Sequence, residues 1–341
     1  MKVFWYTRSN LLYQSLLTRK LSQKANGGNS YDFAAAEALR TKGEIFVRKV
    51  SVQKNNEKFF RYWHRFNSFR FESDCIHIME PYPVAFGKPN KKALRIGIIH
   101  HIDTQAANKS LKHRIFFYLL IRRLKSLDCV VTVSKVWRDY LLNKGCKRVE
   151  IIYNSFNPED YLFEEADLLL FKKNLGLDKD KKLIYIGNAG NGKGVHKTFY
   201  ELKDFGYELV MTGAKNDAKE LPVKYFNLDA LGYRKLIASC DVVLAMSDMV
   251  EGWNRIAHEA MLSKVPVIGS GSGGMQELLD EGGQISCYDY SNLGDKVLQA
   301  LANKAELGGK GHAFVKKLDK RYFIKSWLEI IESMKQSIRK Q

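Results

Sequence analysis

Asp248-Met-Val-Glu251-Gly-Trp-Asn-Arg-Ile-Ala-His-Glu259-Ala-Met-Leu262, followed by Val265-Pro-Val-Ile-Gly-Ser-Gly-Ser-Gly273-Gly-Met-Gln-Glu277, reads as a short loop, a helix, a strand and a Gly-rich turn that opens another helix. Glu251 and Glu259 stand eight positions apart. That is a little over two helical turns, which puts Glu251 in the loop and Glu259 within the helix. The backbone N–H groups of Asn254, Arg255 and Ile256 then point beyond the helix start, where they form an anion site suited to a diphosphate. A carboxylate one or two turns further in can accept two hydrogen bonds from vicinal hydroxyls such as those of a ribose.

Outward from this stretch, short apolar runs recur between helical patterns. Strands are predicted over residues 182–186, 208–212, 224–227, 241–245, 265–269 and 284–288, and in the first half over 2–6, 44–50, 74–79, 95–100, 128–133 and 149–153. Helical periodicity fills the gaps, notably at 30–42, 109–127 and 135–143, with Ser30 as an N-cap and Gly43 as a stop. Strands and helices that alternate in this way make βαβ units, so the fold class is α/β, with two doubly wound, Rossmann-like parallel sheets. The expected division is 1–157, 158–319 and a final helix, 320–341, that crosses back to the first domain. Ligands of open parallel sheets bind beyond the carboxyl ends of the strands, so two such domains are expected to face a cleft.

The formal charge of +18 is unevenly placed: residues 1–153 hold 29 Lys or Arg against 11 Asp or Glu, and residues 154–341 hold 26 of each. A first half so basic attracts lipid headgroups, nucleic acid or phosphorylated substrates, unless it is only a solvated face. Two stretches there suit an anionic membrane surface. One is Lys58-Phe-Phe-Arg-Tyr-Trp-His-Arg-Phe66, whose aromatics are too dense for one buried stripe. The other, residues 109–125, reads better as a core helix with snorkelling basic ends. The cysteines at 75, 129, 146, 240 and 287 are odd in number and widely spaced, and read as reduced core residues. The N-terminal stretch has no apolar core of a signal peptide and no run reaches membrane-spanning length, so a cytoplasmic location is expected, with membrane contact only peripheral.

The two glutamates, the Gly after the first, the Glu-Ala-Met within the helix and the Pro-Val-Ile with Gly-Gly-x-x-Glu together resemble the retaining GT-B glycosyltransferases of family 4 (GT4, glycosyl transferases group 1). The resemblance implies a sugar moved with retention from a nucleoside-diphosphate sugar to a hydroxyl acceptor, by front-face attack and without a metal or other cofactor. It makes Glu259 the ribose ligand and places Glu251 near the donor sugar, and it puts the diphosphate at Asn254, Arg255, Ile256 and Gly274. Asn254 stands where the family has Gly, so its side chain is expected to crowd or bind phosphate or sugar. Leu183-Ile-Tyr-Ile-Gly187-Asn-Ala-Gly-Asn-Gly-Lys193-Gly194 resembles the family's strand with its Gly-Arg and Lys-Gly pairs. Lys193 would neutralise the leaving diphosphate, while Asn188 replaces the family's arginine beside Gly187.

In the first half, Gly27-Gly28 resembles the loop that approaches donor phosphate and acceptor, and the insertion between it and the first strand is expected to form its own helix. Ile98-Ile-His100-His101 resembles a strand ending in the histidine near the donor sugar, with His101 the preferred choice. Residues 128–134 and 149–156 resemble the family's D-x-V-x-x-V-S and pre-linker strand.

Expected partners are a nucleotide sugar and a glycan or lipid-linked acceptor of cell-surface polysaccharide or glycoconjugate synthesis, with the basic half on an anionic membrane. Nucleic acid is not expected, yet a nucleic-acid-binding protein that stacks bases on Phe59, Tyr62 and Trp63 is the competing class. A nucleotide-sugar epimerase or hydrolase shares the architecture. Gly187-x4-Gly192-Lys193 also imitates a P-loop, but Gly194 stands where Ser or Thr would hold magnesium.

Overall fold

The computed structural model describes residues 1–22, 26–50, 75–87, 93–102, 110–189, 192–213 and 220–339. The chain forms two compact units, one of Met1–Asn154 with Arg321–Gln341 and the other of Ser155–Lys320.

In the first unit the order is β1 (Lys2–Thr7), α1 (Asn10–Thr18), α2 (Gly27–Arg40), β2 (Glu44–Lys49), β3 (Ile76–Met79), α3 (Pro81–Phe86), β4 (Leu94–Ile99), α4 (Leu111–Leu124), β5 (Cys129–Thr132), α5 (Lys135–Asn143) and β6 (Val149–Ile151). Its six strands pair in the order β2-β1-β3-β4-β5-β6, all parallel. Every residue of β3, β4 and β5 is buried, as expected of central parallel strands covered on both faces. The edge strand β2 is more exposed and ends in Arg48 and Lys49, charges that discourage further pairing.

The second unit runs through α6 (Glu165–Asn174), β7 (Leu183–Asn188), α7 (Val195–Leu202), β8 (Glu208–Thr212), β9 (Lys224–Phe226), α8 (Ala230–Ser239), β10 (Val242–Ala245), α9 (Arg255–Leu262), β11 (Val267–Gly269), α10 (Gly274–Glu281), β12 (Ile285–Ser286), α11 (Leu293–Ala302) and α12 (Lys304–Val315). Its sheet has the parallel order β12-β11-β10-β7-β8-β9. The last helix, α13 (Lys320–Arg339), belongs to the first unit: Phe323 and Trp327 are buried there against Tyr31, with ring centroids 5.0 and 6.5 Å away.

Several local expectations need correcting. The helix expected from Ser30 starts at Gly27, because Asn26 caps it by accepting the Asn29 N–H at 2.8 Å. Gly27 and Gly28 therefore lie in its first turn, not in a loop. The insertion before it holds helix α1, capped by Ser9. The stretch at 109–125 is not a core helix throughout. Leu120 and Leu124 are buried in α4, but Leu111 is 70% exposed, Tyr118 64% and Ile115 37%. Beside α4 lies an open groove of about 510 Å³, with Arg114, Arg122, Lys125 and Lys144 around Phe117 and Tyr118. Residues 58–66 fall outside the described residues. All five cysteines are buried thiols. Among the described residues no helix is long and apolar enough to cross a membrane.

Candidate active site

In the second sheet the strand order reverses between β7 and β10, which opens a crevice at their carboxyl ends, the usual ligand position in such sheets. The loop after β7 carries Lys193 and the loop after β10 carries Glu251. Their side chains meet there, with Nζ 2.7 Å from Oε1.

Glycines fix both loops. Gly192 and Gly194 have positive φ, and the Gly192 carbonyl accepts the N–H of Asp248 at 3.0 Å. A Cβ on Gly194 would lie 2.0 Å from the Met246 carbonyl oxygen. On the other side Glu251 bridges to Gly273, whose φ is +68° and whose Cβ would lie 2.4 Å from the Glu251 carbonyl oxygen. Only glycine allows that approach. Gly274 donates its N–H to the same carbonyl at 2.9 Å. That donor, expected on the diphosphate, is thus engaged in holding Glu251.

Asn254, the departure from the family's Gly, is the N-cap of α9, and its Oδ1 accepts the Ala257 N–H at 2.9 Å. It is buried and anchors the helix. Arg255 and Ile256 open α9, at the end of the helix where the backbone dipole is positive. Asn188 ends β7, and its amide packs where a side chain on Gly213 would stand, 2.3 Å from a Cβ there. The preceding Gly187 has φ +124°.

Glu259 lies deeper in α9. Its Oε1 accepts the Tyr161 O–H at 3.3 Å and its Oε2 the Tyr233 O–H at 3.1 Å, while the Arg255 guanidinium stands 3.9 Å from Oε1. Burial raises the carboxyl pKa above its ordinary value, and Arg255 and the two hydroxyls oppose the rise. The neighbouring His258 is fully buried and accepts the Trp253 indole N–H on Nδ1 at 3.1 Å, which places its proton on Nε2. Burial, then Arg255, lowers its pKa to about 3, so it is neutral at physiological pH.

In the first sheet the order reverses between β1 and β3. Here His100, the residue after β4, approaches Asp32 of α2, Nε2 to Oδ1 3.0 Å. His101 is exposed. Because β4 stops at Ile99, His100 is the first residue beyond the strand, and it is His100 that meets Asp32. A Cβ on Gly28 would touch the His100 ring at 3.5 Å, and Gly27 opens the same turn. Glu80, after β3, accepts the Arg8 N–H at 3.0 Å, and burial and then Asp32 raise its carboxyl pKa to about 7.

Asp32, Glu80, Tyr161 and Tyr233 were not singled out from the sequence. They lie in separate segments that only the folded sheets bring to the two crevices. The position of Glu80 at the end of an apolar run was the one local sign available.

Comparison with known proteins now gives the family. Residues 30–160 match the model of Glycosyltransferase Family 4, and residues 180–303 that of Glycosyl transferases group 1. The uncharacterized glycosyltransferase MJ1178 of Methanocaldococcus jannaschii is 27% identical over 264 residues, 72% of this chain and 71% of that protein. Among solved structures, Anabaena Alr3699/HepE in complex with UDP-glucose superposes with TM-score 0.68 at 15% identity, over 98% of this chain and 100% of that one. Sucrose-phosphate synthase from Thermosynechococcus elongatus gives TM-score 0.73 at 16% identity over 100% of each chain. At these identities the structural likeness concerns the fold, two parallel six-stranded sheets with flanking helices. The chain belongs to glycosyltransferase family 4 and is a glycosyltransferase of the GT-B fold.

Proposed function

We propose that the enzyme transfers a sugar, with retention, from a nucleoside-diphosphate sugar bound by the second unit to a hydroxyl of a glycan or lipid-linked glycan. The observation that carries this reading is the Lys193–Glu251 pair at the β7/β10 crevice, with α9 beginning four residues after Glu251 and carrying the buried Glu259 one turn further on. Each suits one part of such a donor. The Glu259 carboxylate matches the ribose diol, and the α9 N-terminus and Lys193 match the diphosphate. As the glycosidic bond breaks, charge grows on the departing diphosphate, and these preorganised positive groups lower the barrier without requiring a metal. The leaving phosphate takes the acceptor proton in this scheme, so no side chain is assigned as base. The UDP-glucose complex of HepE supports a nucleotide sugar as donor.

The basic groove beside α4 supports peripheral contact with an anionic membrane, where a lipid-linked acceptor of polysaccharide or glycoconjugate synthesis would reside.

The test is a thermal-shift panel of UDP-, GDP-, ADP- and TDP-sugars on the wild type and on Glu259→Ala. A ligand that binds only the native state raises its melting temperature. One nucleotide series is expected to stabilise the wild type and to lose that effect in the variant. No shift from any of the four would defeat the reading.

A further inference from the structure

Both carboxylate oxygens of Glu259 already carry a donor from the protein. Tyr161 closes the 3₁₀ turn Pro158–Tyr161 and donates to Oε1, and Tyr233, on α8, donates to Oε2. The turn is itself fastened to α8. Asp160 pairs at 3.3 Å with Arg234, the residue after Tyr233, and the Arg234 guanidinium lies 5.8 Å from the centre of the Tyr161 ring. The Tyr161 ring also meets the Phe156 ring edge-on at 5.7 Å, and the Arg255 guanidinium lies 4.4 Å from the centre of that second ring. Three elements remote in sequence thus fix one carboxylate.

A buried carboxyl tends to take up a proton, and once protonated it no longer accepts freely on both oxygens. Burial raises the Glu259 pKa here, while Arg255, then the Tyr233 and Tyr161 hydroxyls, then Arg234 act against the rise. The two phenols serve only as donors, since burial and then the Glu259 charge push their own pKa values above the usual phenol range. Tyr185 of β7, which also feels Glu259, is likewise kept protonated, chiefly by burial. An ionised carboxylate has about four acceptor sites, and each tyrosine takes one on a different oxygen. Each oxygen keeps a further site, and 12% of the side chain stays open. Two such sites on one fixed carboxylate match two vicinal hydroxyls.

We propose that Tyr161 and Tyr233 are positioning residues that, acting through Glu259, make the donor site select ribose over 2′-deoxyribose. The inference rests on the donor reading, in which Glu259 meets the diol of the nucleotide. With both hydroxyls in place the carboxylate stays ionised and cannot swing, so a nucleotide without the 2′-hydroxyl leaves an aimed oxygen unpaired. Without them Glu259 can turn or take up a proton, and the missing hydroxyl costs less.

The test is calorimetric titration of the intact chain with UDP, GDP and ADP and with the 2′-deoxy form of each. It compares the wild type with Tyr161→Phe, Tyr233→Phe and the double variant. The wild type is expected to prefer the ribo form of its nucleotide by about tenfold or more, because a hydrogen bond to a charged group is lost without the 2′-hydroxyl. Each single change should cut that preference about threefold and the double change should nearly abolish it. Phenylalanine keeps each ring, and either single variant carries the test should the other not fold. The second readout is the pH dependence of ribonucleotide affinity. The variants remove donors that favour the charged form of Glu259, so affinity should fall off on acidification at a higher pH than in the wild type. The ligand is the same throughout, so its own ionisation cancels. A merely structural role would weaken both nucleotide forms alike and move neither the ratio nor the pH profile. The proposal is overturned by a wild type without preference for ribose, by an unchanged ratio or pH profile in the variants, or by variants that bind the ribo form more tightly. Failure of the donor reading is distinct: no nucleotide would then bind the wild type in either form, and the inference would fall with it.

Discussion

The Lys193–Glu251 pair is partly solvated, and an ion pair of that kind contributes little to stability, about 0–1 kcal/mol. Under the proposed mechanism its value is positional: Glu251 holds an ammonium that an arriving diphosphate would draw away as a stronger partner. Under the proposed mechanism Lys193→Met should lower kcat by roughly 10²–10³-fold, with a much smaller change in donor KM, because the charge is needed most as the leaving group departs. Steady-state kinetics on the purified enzyme would show this, and an unchanged kcat would remove Lys193 from the mechanism. Lys193, Glu251 and Glu259 stood out as candidates in the sequence because each belongs to a contiguous pattern of glycine, strand and helix residues, and the structure brings Lys193 and Glu251 into contact. Tyr161 and Tyr233 did not, since a tyrosine in a short helical turn carries no local mark of the carboxylate it will meet. The choice between His100 and His101 turned on one residue of strand length, and a slip of one reverses which face a side chain takes.

Among the elements, the strands were the most legible. All twelve coincide with apolar runs, with ends displaced by a few residues, because a central parallel strand must be apolar on both faces. Helix starts were less so, since Asn26 and Ser30 both offer a capping side chain and only tertiary packing decides between them. Helix α4 misled for a related reason. Its density of Ile, Phe and Leu suggested burial, but one face meets the core while Leu111, Ile115 and Tyr118 remain exposed among cations. Such a helix suits the interfacial plane of an anionic bilayer. Co-sedimentation should show the protein on vesicles with phosphatidylglycerol and not on neutral phosphatidylcholine, and the binding should fall as salt is raised. Arg114→Glu with Arg122→Glu is expected to reduce it at least tenfold, at about 1 kcal/mol for each basic residue near the surface. Equal binding to both kinds of vesicle would dismiss this role for α4.

At the scale of the molecule, the basic excess falls in the half that builds the first sheet, and the neutral half builds the second unit. The second unit lies within the sequence of the first, because residues 155–320 interrupt a unit that is completed by α13. Phe323 and Trp327 of that helix close over Tyr31, whose hydroxyl donates to the Ile152 carbonyl at 3.0 Å. Truncation after Lys320 would strip those aromatics from the first core. Such a chain should keep its nucleotide-induced melting shift in the second unit and lose cooperative unfolding of the first; calorimetry with and without the stabilising nucleotide would separate the two transitions. A truncated chain with both transitions intact would show that α13 is dispensable.

The arrangement also sets an order in time. A ribosome delivers the chain from its N-terminus, and domains generally fold as units during synthesis. Here the unit begun first cannot be finished until α13 emerges, whereas the unit begun second has all its residues as soon as Lys320 leaves the exit tunnel. The nascent enzyme therefore acquires a complete second unit while the first sheet still waits for its closing helix. The first core stays open throughout the synthesis of residues 155–320.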